Sequence, residues 1–255
     1  MAGAKLEGRK CAAPPHTQSR KRNVKRAERV AHEVVRRIVE RGMVQGDKLP
    51  LEAEMLVEYG VSRSSLREAL RLLEVQGLIS IRPGPGSGTE VGTISPANLA
   101  STLSLYLMMA RANLGQLLDA WLMVETLLAR LAASSPDRNK VHALIAPFAS
   151  GASERDYELQ AGLEFHDCVA ELADNPLLTI ILGAVGYLVT EQVRIRVPEF
   201  ELSDVTIDRH TAIADAILAG DAETAANIMH QHLLEATEEI SARIPLDTQL
   251  TMEFD

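Results

Sequence analysis

Three arginines spaced four residues apart, Arg63, Arg67 and Arg71, form the first group in this sequence whose types and spacing suggest a chemical role. On a helix this spacing places all three side chains on one face, with Ser64 beside them. A guanidinium group binds a phosphate, or the O6 and N7 atoms of a guanine, through two hydrogen bonds. An arginine stripe also occurs as a solvated helix face paired with nearby glutamates. The choice between these interpretations depends on the elements that surround the stripe.

The residues around the stripe have the order of a winged helix-turn-helix. Apolar residues at helical spacing predict a helix from about 22 to 41 and a second from about 51 to 59, which Gly60 ends. Ser62 is a suitable N-cap for a third helix, 63–76, which carries the arginines. In this arrangement the N-terminal part of the third helix enters the major groove of DNA. The context therefore favours DNA binding by Arg63, Ser64, Arg67 and Arg71.

Two short predicted strands with a glycine-rich loop between them follow the third helix. Residues 78–81 and 89–91 have the pattern of strands that form a wing. Glycines let the backbone approach a sugar-phosphate chain closely, so Arg82, Gly84 and Gly86 are candidate DNA contacts. A hairpin loop without a role in binding has the same sequence features.

Three histidines of the C-terminal part, His166, His210 and His232, each lie on the apolar face of a predicted helix, whereas His230 does not. If these helices belong to one bundle, the three imidazoles can meet in its interior. Neutral imidazole is a common ligand of divalent metals, and three of them leave positions open for water or another ligand. If a metal binds there, zinc is the first choice for such nitrogen donors, and nickel or manganese could substitute. A single inward histidine is more often simply a core residue, so spacing alone leaves that alternative open.

Helical periodicity continues beyond Ser95-Pro96, and the whole sequence predicts a mainly α protein. A winged helix-turn-helix of three helices and a small β wing, 22–93, precedes an all-α antiparallel helical bundle, 97–243. Residues 1–21 are expected to form a disordered basic arm that either touches phosphates or is solvated, and 244–255 a loose tail. The bundle helices are expected at about 97–111, 115–134, 137–149, 154–173, 176–197, 204–219 and 221–243.

The charge is divided unevenly between the two parts of the chain. Residues 1–90 hold 17 Lys and Arg against 11 Asp and Glu, a balance of +6, which leaves −15 for residues 91–255 of a chain of net charge −9. Only the N-terminal part is therefore suited to bind a polyanion such as DNA.

The two cysteines, Cys11 and Cys168, form no disulfide framework, which indicates the reducing cytoplasm. The apolar run Leu177–Val189 is shorter than the roughly 20 residues of a membrane span, so we expect no membrane partner.

The N-terminal motifs resemble those of the GntR family of winged-helix regulators. This resemblance implies a homodimer that binds a palindromic operator on double-stranded DNA, with the family's DNA-contacting arginines at Arg63 and Arg67. A third such arginine falls on Ala53 and the usual serine cap falls on Leu51, so Arg71, Arg82 or the basic arm would have to compensate. The motifs are Lys48-Leu49-Pro50, the run from Val61 to Glu74, Gly77-Leu78-Ile79 and Arg82-Pro83-Gly84.

The C-terminal part resembles the FCD domain of the FadR-like branch of that family. Such a domain implies a small acidic metabolite, the effector, that modulates the affinity for DNA. It also implies a divalent metal held by the three histidines and by an Asp four residues before the first of them, a position that is Gly162 here. The matching pieces are Phe165-His166, Asn175-Pro176-Leu177-Leu178, Arg209-His210, Ala219–Ala222 and His232-Leu233.

The candidate effector-binding residues are Trp121, Asp119 and Arg194. Trp121 stands where related domains often carry an arginine, and an indole suits a more apolar effector than a guanidinium does. The leading hypothesis is therefore a cytoplasmic DNA-binding regulator, a repressor and not an enzyme, that responds to a carboxylate or acyl metabolite. One alternative is a metal-free sensor of the acyl-CoA or fatty-acid type. The other is a three-histidine metalloenzyme with Glu164 or Asp167 as base, which nothing in the N-terminal half supports.

Overall fold

The computed structural model describes residues 15–82, 88–150, 163–198 and 204–251. It divides the chain into two compact units, Met1–Ser95 and Pro96–Asp255. The fold is mainly helical, with one small sheet in the first unit, as the sequence predicts.

The first unit is a three-helix core with a wing. Its helices are α1 (Pro15–Glu40), α2 (Glu52–Tyr59) and α3 (Arg63–Val75). Gly60, at φ 57°, supplies the left-handed residue that ends α2 and turns the chain toward α3. The core beneath α3 consists of apolar side chains from all three helices and from the first strand, among them Val34, Met55, Leu66, Leu70, Leu73 and Ile79.

The wing is an antiparallel pair of strands, β1 (Ile79–Arg82) and β2 (Gly88–Val91). The segment before α2 pairs with the outer edge of β2, because the Leu49 N–H donates to the Thr89 carbonyl and the Val91 N–H donates to the Asp47 carbonyl. This third stretch of backbone fixes the base of the wing to the helices.

The first helix is longer than predicted. It begins at Pro15 rather than near residue 22, so residues 15–21 belong to the helix and not to a disordered arm. Proline is favoured in the first turn of a helix, and the Gln, Arg and Lys residues that follow have high helix propensity. Residues 1–14 of the predicted arm lie outside the described part of the chain.

The second unit is the predicted antiparallel bundle, in which helix α5 (Leu114–Ala133) packs against four other helices. Asn113 and Gln116 form a capping box that starts α5, and Asp221 caps the last helix. A 3₁₀ turn, Ala146–Phe148, follows α6, where the sequence predicted continuous helix. A helix was predicted over 154–173. The structure describes this region from Leu163 onward, and it is helical from Leu163 to Leu172. The helices are α4 (Pro96–Met109), α5 (Leu114–Ala133), α6 (Arg138–Ile145), α7 (Leu163–Leu172), α8 (Pro176–Arg196), α9 (Asp204–Ala219) and α10 (Ala222–Ser241).

The segment predicted to be a loose tail is packed against the bundle. Residues 245–251, here called the C-terminal strap, bond to the free N–H groups at the start of α5: Leu114 donates to Thr248, and Gly115 donates to Leu246. Leu250 is buried. The prediction of a loose tail was wrong for this part because these bonds are made by backbone groups, which leave no periodic signal in the sequence. Residues 252–255 lie outside the description.

Among the described helices, α8 has the length and apolar composition of a membrane span. The helix continues to Arg196, well past the apolar run Leu177–Val189. The sequence argument that this segment is too short to span a membrane therefore does not hold. Its inner face packs in the bundle core through residues such as Leu188 and the buried Gln192. Leu177 and Ile180 on the same helix are exposed. The packing of the inner face indicates a helix of the bundle.

Candidate DNA-binding helix and buried histidine cluster

The predicted DNA-binding face of α3 is exposed and carries unpaired charge. Ser62 caps the helix by accepting a hydrogen bond from the Ser65 N–H, which fixes the register of the first turn. Arg63, Arg67 and Arg71 are all exposed, and none of them forms an ion pair with another residue of the described segments. Cationic side chains in this state are available for phosphates or base edges.

The other predicted DNA contacts are Ser64 on α3 and three residues of the wing. The Ser64 hydroxyl is exposed and lies 3.0 Å from that of Ser62. Arg82 ends β1 with 74% of its side chain exposed, and its Nε lies 3.2 Å from a carboxylate oxygen of Glu90. Gly84 and Gly86 lie outside the described residues.

The start of α2 departs from the usual pattern, as the sequence indicated. Leu51 occupies the N-cap position in an extended conformation and has no side-chain acceptor for the free N–H groups. Glu54 supplies half of a capping box by accepting a hydrogen bond from the Leu51 N–H at 2.9 Å. Ala53 is exposed.

The structure brings the three predicted histidines together inside the bundle. His166, His210 and His232 come from α7, α9 and α10, and one ring nitrogen of each lies within 4.8 Å of the others. The Nε2 atoms of His210 and His232 are 3.2 Å apart. His210 and His232 are 2% and 5% exposed, and the side chain of His166 is 13% exposed.

The electrostatics of the cluster differ between its members. Burial and the charge of His166 lower the pKa of His210 to about 2 and that of His232 to about 3. Burial also acts to lower the pKa of His166, but the carboxylate of Glu125 outweighs it and the net shift is upward. At neutral pH His210 and His232 are therefore neutral, and each ring has one unprotonated nitrogen.

Glu125 was not singled out in the sequence, although it lies at the centre of this region. It is 1% exposed, on the face of α5 that also carries Leu118 and Leu128. Its Oε1 atom lies 2.9 Å from Nδ1 of His166 and accepts a hydrogen bond of 3.2 Å from the Trp121 indole. A charged residue in register with an apolar helix face was the available sequence signal.

Two of the three nitrogen donors, those of His210 and His232, have the spacing of a divalent-metal site, and the third lies within 4.8 Å of them. Nitrogen atoms that bind one zinc ion at about 2.0–2.1 Å in tetrahedral geometry lie roughly 3.3 Å apart, close to the separation found between His210 and His232. Gly162, the position where a carboxylate ligand was expected, lies outside the described residues.

Of the three candidate effector residues, only Trp121 is seen to lie beside the histidine cluster. The Trp121 ring lies 6.4 Å from that of His166, between the two apolar clusters of the bundle. Asp119 is exposed on α5. Arg194 lies in the last turn of α8 and makes two hydrogen bonds to Glu191.

Comparison with known proteins agrees with this architecture. Residues 26–91 match the model of the bacterial regulatory proteins of the gntR family, and residues 116–235 match the FCD domain. A solved GntR structure from Streptococcus agalactiae has a TM-score of 0.60 at 20% identity, and covers 83% of this chain and 99% of its own length.

Curated relatives are transcriptional regulators rather than enzymes. The uncharacterized HTH-type transcriptional regulator YcbG of Bacillus subtilis is 31% identical, over 80% of this chain and 87% of its own length. The putative L-lactate dehydrogenase operon regulatory protein of Escherichia coli is 30% identical, over 81% and 83%. LutR of Bacillus subtilis is 27% identical, over 77% and 92%.

A winged helix-turn-helix followed by a helical bundle with a buried polar centre defines a bacterial transcriptional regulator. The chain belongs to the GntR family, and its C-terminal domain is an FCD domain.

Proposed function

We propose that this protein is a homodimeric repressor that binds a palindromic operator. Its affinity for the operator would be modulated by a small carboxylate that binds to a metal ion held by His166, His210 and His232. The observation that carries the proposal is the convergence of three ring nitrogens within 4.8 Å in the interior of the bundle. The two nearest nitrogens, Nε2 of His210 and Nε2 of His232, also have the spacing of two ligands of one zinc ion. The protein would act in the cytoplasm, where the operator is.

The DNA-binding part of the proposal rests on α3. Its buried leucines fix the helix on the core, and its arginines project from the opposite face. Arg63 and Arg67, in the first half of the helix, are the residues that we expect to reach base edges in the major groove. Arg71 and Arg82 are better suited to phosphates, which position the domain without reading sequence.

The sensing part rests on the neutral state of the histidines. Because the rings of His210 and His232 are neutral at neutral pH, each has one unprotonated nitrogen that can bind a divalent cation. A bound metal would supply a cationic centre for an anionic effector. Zinc is the first expectation, and nickel or manganese suits the same nitrogen donors.

The effector would act by shifting a population of dimer geometries. Effector binding would favour a state in which the two α3 helices no longer match successive major grooves. Several apolar side chains on α4 and α8, two helices that pack together, are exposed and would suit contact with a second copy. They include Leu105, Tyr106, Leu177 and Ile180.

The test is a DNA-binding titration with the full-length protein. Fluorescence anisotropy with a palindrome from the region upstream of its own gene is compared with random DNA, with and without zinc and with L-lactate as the first carboxylate probe. L-lactate is chosen because one relative is named for a lactate dehydrogenase operon. Salt-dependent preference for the palindrome, weakened by a carboxylate only when metal is present, supports the proposal. Equal affinity for both DNAs would refute the operator assignment.

A second candidate is a metal-free sensor of acyl or other apolar metabolites. The half-buried Trp121 favours it, because the indole lies beside the histidines and between two apolar clusters. In that case an acyl-CoA weakens operator binding in the presence of a chelator, and small carboxylates have no effect.

A further inference from the structure

Glu125 is a buried carboxylate whose one ion-pair partner in the described part of the chain is the imidazole of His166. It is 1% exposed, and in the described part of the chain no Lys or Arg lies within ion-pair distance. Its Oε2 atom has no hydrogen-bond partner among the described residues. A buried carboxylate costs several kcal/mol unless it is paired. Its retention in the bundle core therefore points to a ligand-related role.

The surroundings of Glu125 connect it to the histidine cluster. Trp121, one helical turn earlier on α5, donates its indole N–H to Oε1 at 3.2 Å. The same oxygen lies 2.9 Å from Nδ1 of His166. Since Nδ1 faces the carboxylate, Nε2 is the nitrogen of His166 that remains for a metal. A carboxylate behind a metal-binding histidine fixes the ring orientation and its tautomer, and raises its basicity.

We propose that Glu125, held in place by Trp121, is the positioning carboxylate of the metal site and acts through His166, an inference that rests on the metal site proposed above. Glu125 is not among the side chains whose ligand atoms lie within 4.8 Å of one another, so it is placed behind the ligands and not among them. It thereby supplies a negative charge that Gly162 does not.

This arrangement has a consequence for the effector. A carboxylate ligand would occupy a coordination position, whereas a carboxylate behind His166 leaves that position open. Three neutral nitrogens and one bound divalent cation make a centre that attracts an anion. The site is therefore suited to an effector that binds through two oxygens, as a 2-hydroxy acid does.

Cobalt(II) titration of the purified full-length protein tests this assignment, with visible absorption as the readout and a competing chelator to obtain affinity. The variants are Glu125→Gln, Glu125→Asp and Trp121→Phe, and the matched control is Glu223→Gln, an exposed residue of α10. Glu125→Gln should lower cobalt affinity about 10- to 100-fold, the usual effect of removing such a partner. Its d–d spectrum should be unchanged, because the three nitrogen ligands remain. Glu125→Asp should restore part of the affinity, and Trp121→Phe should cause a smaller loss.

A merely structural role of Glu125 would give a different pattern. It would lower the thermal midpoint of the metal-free variant without a selective loss of metal affinity, whereas the proposed role predicts a loss of metal affinity in a variant that circular dichroism shows to be folded. Unchanged cobalt affinity in Glu125→Gln would overturn the assignment, and an altered d–d spectrum would show that Glu125 is a direct ligand instead. If the wild-type protein binds no cobalt, the metal site itself fails, an outcome distinct from binding that is insensitive to Glu125.

Discussion

The Nε2 atoms of His210 and His232 lie 3.2 Å apart, although 22 positions separate the two residues in the chain. The antiparallel packing of α9 and α10 produces this contact, and α7 brings His166 to the same point. Gently purified protein should therefore contain about one divalent metal ion per chain. Elemental analysis by inductively coupled plasma mass spectrometry measures it.

The matched variants for this measurement are on the same two helices. His210→Ala should abolish the bound metal, whereas His230→Ala should retain it, because His230 is outside the cluster. Circular dichroism shows whether each variant is folded. Metal retained by His210→Ala would place the ion elsewhere in the protein.

Replacement of Arg67 should weaken operator binding strongly. Its exposed guanidinium lies on the α3 face opposite the buried leucines. Arg67→Ala should cost about 1–3 kcal/mol of binding free energy if the side chain contacts a guanine. Arg130→Ala, which removes the same charge from an ion pair with Glu223, is the control and should bind DNA as the wild type does. Anisotropy titrations at several salt concentrations give both affinities, and equal losses in the two variants would contradict a specific contact.

A serine at position 51 should stabilise the DNA-binding domain. Leu51 is the N-cap of α2 but offers no acceptor, while Glu54 already accepts a hydrogen bond from the Leu51 N–H. Leu51→Ser completes the capping box and should raise the free energy of unfolding by about 1 kcal/mol. Chemical denaturation measures the change, and Leu51→Ala separates the effect of the cap from the loss of an exposed leucine.

Gly92 follows the wing and has no room for a side chain. A Cβ atom there would lie 2.1 Å from the carbonyl oxygen of Gly77, a backbone atom that cannot move without displacing β1. Gly92→Ala should destabilise the domain by about 1–3 kcal/mol, as overpacking usually does. Gly88→Ala, where a Cβ meets nothing within 4 Å, should leave the denaturation midpoint almost unchanged. Similar midpoints for both variants would show that the backbone adapts at Gly92.

The metal-free protein should lose stability in mild acid because of its buried histidines. Burial and the charge of His166 lower the pKa of His210 to about 2 and that of His232 to about 3, so the unfolded chain takes up protons below about pH 6.5 while these folded residues do not. Each residue should therefore cost about 2 kcal/mol at pH 5 relative to pH 7.

His166 acts in the opposite direction, because its pKa is raised overall despite the lowering effect of burial. Its contribution is present below the unfolded pKa and is lost as the pH rises through the folded value. The comparison is therefore between wild type and His210→Gln in the presence of a chelator. The variant should lose about 2 kcal/mol less between pH 7 and pH 5. Urea denaturation measures the free energy of unfolding at each pH. If wild type and His210→Gln lose the same amount between pH 7 and pH 5, His210 takes up its proton in the folded protein as it does in the unfolded chain.

The DNA-binding domain was largely predictable because its signals are local. The Ser62 cap, the Gly60 turn, the arginine spacing and the alternating strands each act within a few residues. The sequence also placed each of the three histidines on an apolar helix face. It did not predict the helical turns that begin at Pro15, since a basic segment without apolar periodicity has no core-facing signal.

Only the tertiary structure decided which groups meet. Helical periodicity gives the face on which His166 or Glu125 lies, but not the neighbour across the bundle, because that depends on how α5, α7, α9 and α10 pack. The C-terminal strap is held by backbone carbonyls that bond to α5, and every residue type carries such a carbonyl. The chain thus determines its helices and their inward faces locally, whereas the contact between Glu125 and His166 arises from packing over long sequence distances.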